Sequence, residues 1–290
     1  MVVLSPVINL SDKSTFKVLD AVPVSLVVVR LQDLVSKKTF EFNKTFNDVM
    51  AAGGLHNFLG YSGPIVLSLI MRDDIIANFN PQKYALAINS IRPTSYTTID
   101  GETYEGEISL SIAEINRINK ENKELVRLCP RYLPIGLVKG CTAEQIELHI
   151  EHLKLLGIKD FIFHVGDFFR HGDTKMINKA RNFASKIRNH ARYLMLYGMG
   201  SQKKLLEFSF ADVYISFNHF VTAINGMKFV GTNKIKYNSG YNPDIMVTNF
   251  LEMYKNIDLL NKQKLFDGGE NIWAGELGAI APVTQRQENQ

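Results

Sequence analysis

Apolar residues in the second half of the chain fall into short blocks of two alternating kinds. Leu133–Val138 (LPIGLV), Phe161–Val165 (FIFHV), Tyr193–Tyr197 (YLMLY) and Asp212–Ser216 (DVYIS) are compact runs of the length expected for buried strands. Between them, AEQIELHIEHLKLLG places Ile146, Ile150, Leu153 and Leu156 at helical spacing, with Gly157 as the stop. Lys175–His190 sets Ile177, Ala180, Phe183, Ala184 and Ile187 on one helical face. Ile245–Leu260 repeats that pattern through Phe250, Met253, Tyr254 and Ile257. KKLLEF reads as a short helix, and GDFFRHGDT and GMGSQ as loops. Strand and helix thus alternate at roughly thirty residues, the signature of βα units on a parallel sheet. Several such units in 290 residues predict an α/β fold of the TIM (β/α)8 barrel class, irregular in its first half. No GxGxxG follows an early strand, which sets aside an open dinucleotide-binding sheet.

The first half is less regular. Val24–Arg30 (VSLVVVR) and Pro64–Ile70 (PIVLSLI) read as strands, FEFNKTFNDV as a strand with a turn or an edge hairpin, and Arg92–Glu107 as a polar loop. No stretch has the composition of a linker. Residues 1–268 are therefore read as one barrel and 269–290, ending in VTQRQENQ, as a frayed tail. A hydrophobic content of 46% allows a packed core, and a net charge of +4 permits a nucleic-acid partner without demanding one. Cys129 and Cys141 form no CxxC pattern, so neither a disulfide framework nor a cysteine zinc site is expected. The N-terminal MVVLSPVINLSDKS lacks a basic n-region, and no apolar run approaches the ~18 residues of a membrane span. The expectation is a cytoplasmic protein without membrane contact, metal or cofactor.

In such a barrel, chemistry collects on the loops that follow the strands. Ser68, Arg72, Asp73 and Asp74 follow PIVL, Asp100 and Glu102 lie in the polar loop, and Lys139 follows IGLV. Asp167, Arg170 and His171 follow FIFHV and form the densest polar cluster after a strand; Asn218 and His219 follow DVYIS, and His164 ends its own strand. Structural readings stand beside these. Asp73–Asp74 reads as a helix cap rather than a catalytic pair, and His149 with His152 as a solvated outer helix face rather than a metal site. Lys139 contacts either a ligand or solvent. Lys228, Lys234 and Lys236, in and before GTNKIKYNSGYN, form either a phosphate-contacting loop or one face of an exposed edge strand.

Several segments resemble the tRNA-guanine transglycosylase family in matching order. GGLHNFLGYSGPIV is similar to the approach to that family's Asp-Ser-Gly-Gly-Phe-Gln motif. IGLVKGCTAEQIELHIEHLKLLGIKDFIFHVGD resembles its strand ending in Gln-Gly and the following helix and strand. RYLMLYGMGSQKKLLEFSFADVYIS resembles the segment carrying its nucleophile, and VTNFLEMYKNIDLLNKQ its closing helix. The resemblance implies a TIM barrel that binds tRNA and exchanges a guanine for a 7-deazaguanine base, an aspartate attacking the ribose C1′ while a second carboxylate supports it. Ile215, then Ser216, stand where that nucleophile follows the strand; Ser68 and Leu69 replace the Asp-Ser pair, and Lys139 replaces the base-reading glutamine. His164–Val165–Gly166 stands in the Gly-Gly turn, the family's zinc cysteines are missing, and Asp100 in TTIDGE stands in for a recognition acid.

An isoleucine cannot attack a sugar carbon. The first expectation is therefore a non-exchanging transglycosylase-like protein of archaeosine- or queuosine-type tRNA modification. It would bind tRNA or a catalytic partner, either a complete transglycosylase or an archaeosine synthase core. The alternative is an enzyme with altered chemistry on a 7-deazaguanine nucleotide or on DNA. Its acids would be Asp100 and Asp167, its proton carriers His171 or His219, and its phosphate contacts Lys139 or Arg170.

Overall fold

A computed structural model describes residues 2–169, 173–199, 205–237 and 240–266. Eight strands close into one parallel barrel: β1 Val3–Ile8, β2 Val27–Arg30, β3 Ile65–Ser68, β4 Ser95–Thr97, β5 Leu133–Leu137, β6 Asp160–His164, β7 Tyr193–Tyr197 and β8 Val213–Ser216. The order around the barrel is the order in the chain, and β1 closes against β8 with Ser5 beside Ile215. The helices are α1 Lys17–Ala21, α2 Lys44–Ala51, α3 Leu55–Leu59, α4 Asp73–Ile76, α5 Pro81–Ile91, α6 Ile108–Leu128, α7 Ala143–Leu155, α8 Thr174–Arg188, α9 Asn218–Ile224 and α10 Pro243–Phe266. A separate two-stranded antiparallel hairpin, β9 Met227–Val230 and β10 Asn233–Lys236, sits between α9 and α10.

Alternation along each strand divides the core. Val7, Val28, Val66, Leu137, Ile162, Met195 and Ile215 point inward and fill the barrel. Their neighbours point outward: Phe161, Phe163, Leu194, Leu196 and Tyr214 against α7, α8 and α10, and Val27, Val29, Ile65, Leu67 and Tyr96 toward α2, α5 and α6. Along α10, Met246, Phe250, Met253, Ile257 and Leu260 recur at alternating steps of four and three and are buried against that outer layer. Asn261 near its end pins the chain start, its amide donating to Val2 O at 2.9 Å while its Oδ1 accepts from Val2 N at 2.6 Å.

Two expectations for the first half are corrected. FEFNKTFNDV is not a hairpin: Asn43 caps α2, its side chain accepting from Phe46 N at 3.2 Å, and Phe46 and Val49 are buried on one helical face. The polar stretch Arg92–Glu107 contains β4, and the N-terminal apolar stretch is β1. The KKLLEF helix is a 3-10 turn, Leu206–Phe208, where it falls within the described residues.

Candidate ligand-binding cleft at the barrel mouth

Extending the inward alternation past the strand ends explains which side chains reach the mouth. Arg30 follows Val28, Ser68 follows Val66, Lys139 follows Leu137, His164 follows Ile162, Tyr197 follows Met195 and Phe217 follows Ile215. Except for Ser68 and Phe217, these residues line a cleft of about 1080 Å³ at the C-terminal ends of the strands, together with the loops after β3, β4 and β6. The floor is tightly made. Ser68 is fully buried and hydrogen-bonds the Tyr197 hydroxyl, whose pKa burial pushes up to about 12.

Asp100 and Lys139 form the inner polar pair, with Nζ to Oδ1 at 2.9 Å and both side chains largely buried. Burial alone would lower the Lys139 pKa; Asp100, with Asp167 farther out, outweighs that and holds it above its ordinary value. The loop behind the pair is anchored by α7. His149 Nδ1 accepts from Lys139 N at 2.9 Å, and Gln145 Oε1 accepts from Cys141 N at 2.7 Å. Gly140 between them has φ +153°, and a Cβ there would lie 2.8 Å from Ile146 N, so only glycine lets the loop press onto the helix. This corrects the expectation of a solvated His149: the ring is completely buried, and desolvation drives its pKa down to about 3. The missed signal was its position between Ile146 and Leu153 on the apolar stripe.

The outer cleft is rich in carboxylates. Its lining holds Asp73, Asp74, Asp100, Glu102, Glu105 and Asp167. The opposing cations are Arg30, Arg72, Lys139 and Lys179. Arg72 pairs with Asp74, and Lys179 with Glu105 at 2.7 Å, strapping the loop after β4 to α8. Glu102 is pushed up to about 7, first by a hydrogen bond with Asp73, then by partial desolvation and by the charges of Asp73 and Glu114. The Glu102 carboxyl facing the cleft therefore keeps a proton close to neutrality. Asp167, which is solvent-exposed, faces His164 Nδ1 at 3.5 Å.

Ile215 is sealed from this cleft. It is completely buried in the barrel interior, and Phe217 takes the next inward position above it, with the Arg30 guanidinium stacked on its ring at 4.3 Å. Both oxygens of Asp33 hold that guanidinium, at 2.8 and 3.0 Å. Burial raises the Asp33 pKa despite Arg30, and both of its oxygens are taken up by the guanidinium. Ser216 Oγ donates to Met199 O at 2.8 Å and accepts from Asn218 N at 3.1 Å, serving the turn after β8.

The remaining sequence candidates separate. His219 is corrected from proton carrier to core residue: it is completely buried with an edge contact to Phe250, and desolvation holds its pKa down to about 3. Asp73 and Asp74 occupy the first turn of α4, whose N-cap is Arg72. Lys228, Lys234 and Lys236 lie on the exposed hairpin, an edge-strand arrangement in which Lys234 Nζ also reaches Asn218 Oδ1 at 3.2 Å beside the end of β8. Arg170 and His171 lie outside the described residues. Among the described residues no group of three or more His, Cys, Asp or Glu side chains is placed to hold a metal ion, and no helix is long and apolar enough to cross a membrane. No family model and no curated protein matches the chain.

Proposed function

We propose that this chain is a transglycosylase-like barrel of 7-deazaguanine tRNA modification that holds a guanine-type base at its mouth without exchanging it. It then serves as a tRNA-binding subunit or as the partner of a catalytic transglycosylase or archaeosine synthase core. The observation that carries the reading is the buried Asp100–Lys139 pair facing the cleft while Ile215 lies sealed under Phe217. A carboxylate accepts from the N1–H and exocyclic amine of a guanine-type edge, and an ammonium donates to its O6. The aliphatic Ile215 cannot form the glycosyl–enzyme bond that exchange requires, and Asp100, the carboxylate of the pair, is engaged by the Lys139 ammonium.

The test has two arms. Calorimetric titration with guanine and with 7-cyano-7-deazaguanine measures base binding, and incorporation of labelled guanine into tRNA measures exchange. Base binding that Asp100→Asn weakens at least tenfold, without exchange, is the expected result. A protein that binds neither base nor tRNA overturns the reading.

One observation favours the alternative of altered chemistry on a 7-deazaguanine nucleotide or DNA. The Glu102 carboxyl, held near neutral beside Asp73, has the pKa of a general acid. Under that reading, turnover of such a substrate falls at least a hundredfold in Glu102→Gln and Asp73→Asn, whereas base binding alone survives both.

A further inference from the structure

The cleft holds more carboxylates than cations, so a nucleic acid whose base enters it must keep its phosphates outside. The outward face of α8 is built for such a backbone. Thr174–Arg188 contains no acidic residue. Asn178, Asn182, Ser185 and, just past the helix, Asn189 recur at steps of four, three and four, a stripe of exposed amides and hydroxyl down the middle of that face. Lys175 and Lys179 flank the stripe on one side and Arg181 on the other, with the cleft-lining Lys179 at the end nearer the mouth. A surface hollow against Phe183 collects Lys175, Asn178, Lys179 and Asn182.

The acids near this surface sit at its edges: Asp173 caps the start of α8, and Glu144 of α7 lies near Lys186. Glu105 from the loop after β4 is matched by Lys179 at 2.7 Å, and Glu147 from α7 by Lys186 at 2.8 Å, with His190 Nε2 also 3.2 Å from Glu147. Lys175 and Arg181 are exposed and make no ion pair among the described residues. Lys175 and Arg181 thus stand as exposed cations on this face, bracketed by neutral groups that donate to and accept from phosphate and sugar oxygens.

We propose that the outward face of α8 carries the sugar–phosphate backbone of the nucleic acid whose base occupies the cleft. This rests on the proposed base-binding function and adds the surface along which the strand runs. Fifteen helical residues span roughly 22 Å, enough to lie beside several successive phosphates. Amide and hydroxyl side chains contact the backbone without reading sequence, so the face orients the strand and leaves base choice to the cleft.

The experiment is fluorescence anisotropy with labelled unfractionated tRNA across a salt series, on the full chain and on a Lys175→Ala/Arg181→Ala double variant. Both positions are exposed on a helix where alanine is the best-tolerated residue, so the fold survives, as the far-UV spectrum and melting temperature will register. Loss of two phosphate contacts lowers the magnitude of the log K against log salt slope by about 1.4 to 1.8. Asn178→Ala/Asn182→Ala weakens binding several-fold and leaves that slope unchanged. Tight tRNA binding with an unaltered slope in the lysine–arginine variant overturns the α8 assignment and leaves the proposed function standing. A wild-type chain that binds base but not tRNA overturns the α8 assignment alone, and one that binds neither overturns both.

Discussion

Lys139 and Asp100 depend on each other more than either depends on solvent, and this makes them separable by mutation. Replacing Lys139 with Met leaves the Asp100 carboxylate buried beside an apolar chain, a loss of about 3–5 kcal/mol, whereas the double change Lys139→Met/Asp100→Leu recovers most of it. Urea unfolding of the three variants measures the difference; equal destabilisation by the single and double variants would show that the pair is not coupled. Ile215→Asp tests the sealed position in the same way. It places there the carboxylate that the proposed transglycosylase-like reading finds replaced, but buries a charge among Val7, Val213 and Met195, costing about 3–5 kcal/mol, and Phe217 still covers it. Labelled-guanine exchange is expected to stay absent. Lys139 was legible at this scale because strand alternation alone carries it to the mouth. His149 was not, because flanking Glu147 and Glu151 gave its helix a solvated look that the Ile146–Leu153 stripe contradicts.

Elements of the second half announced themselves because their strands are apolar on both faces and their helices on one. Strand β4 did not, since Ser95 and Thr97 point inward and only Tyr96 is apolar. Its polar atoms are put to structural use: Thr97 Oγ1 accepts from Leu69 N, and Thr98 Oγ1 from Leu137 N, both at 2.8 Å, so hydroxyls carry ladder bonds that a hydrophobic pattern does not reveal. Thr97→Val keeps the volume and orphans the Leu69 amide, and a loss of about 1–3 kcal/mol in chemical unfolding is expected. FEFNKTFNDV misled for the opposite reason. Phe40 and Phe42 alternate like a strand, but Asn43 between them and the apolar pair Phe46 and Val49 starts a helix. On the hairpin, Lys234 shares a face with Phe229 and packs over its ring at 5.4 Å, while Lys228 and Ile235 face the other way.

For the molecule as a whole, buried imidazoles and one shared carboxyl proton pull stability in opposite directions with pH. His149 and His219 bind protons near 6.5 when unfolded but only near 3 when folded, so their contribution is complete above 6.5 and is lost as pH falls toward 3. Each imidazole adds up to about 1.4 kcal/mol per pH unit to that loss. Glu102 has the reverse sign. Its carboxyl titrates near 4.5 when unfolded and about 7 in the fold, so folding takes up a proton in that window and stability falls as pH rises through it. The two effects overlap between 4.5 and 6.5, where two imidazoles outweigh one partly solvated carboxyl. Stability is therefore expected to rise from pH 4.5 to 6.5 and to level off toward 7. Glu102→Gln steepens the rise and carries it past pH 6.5, because the uncompensated imidazoles remain. His149→Gln keeps an acceptor for Lys139 N while removing one titrating ring, and so flattens the acid side without displacing the ammonium from Asp100. Melting temperatures of the wild type and both variants across this range measure each contribution separately. An acid limb unchanged by His149→Gln would mean that the ring is not held neutral behind the cleft.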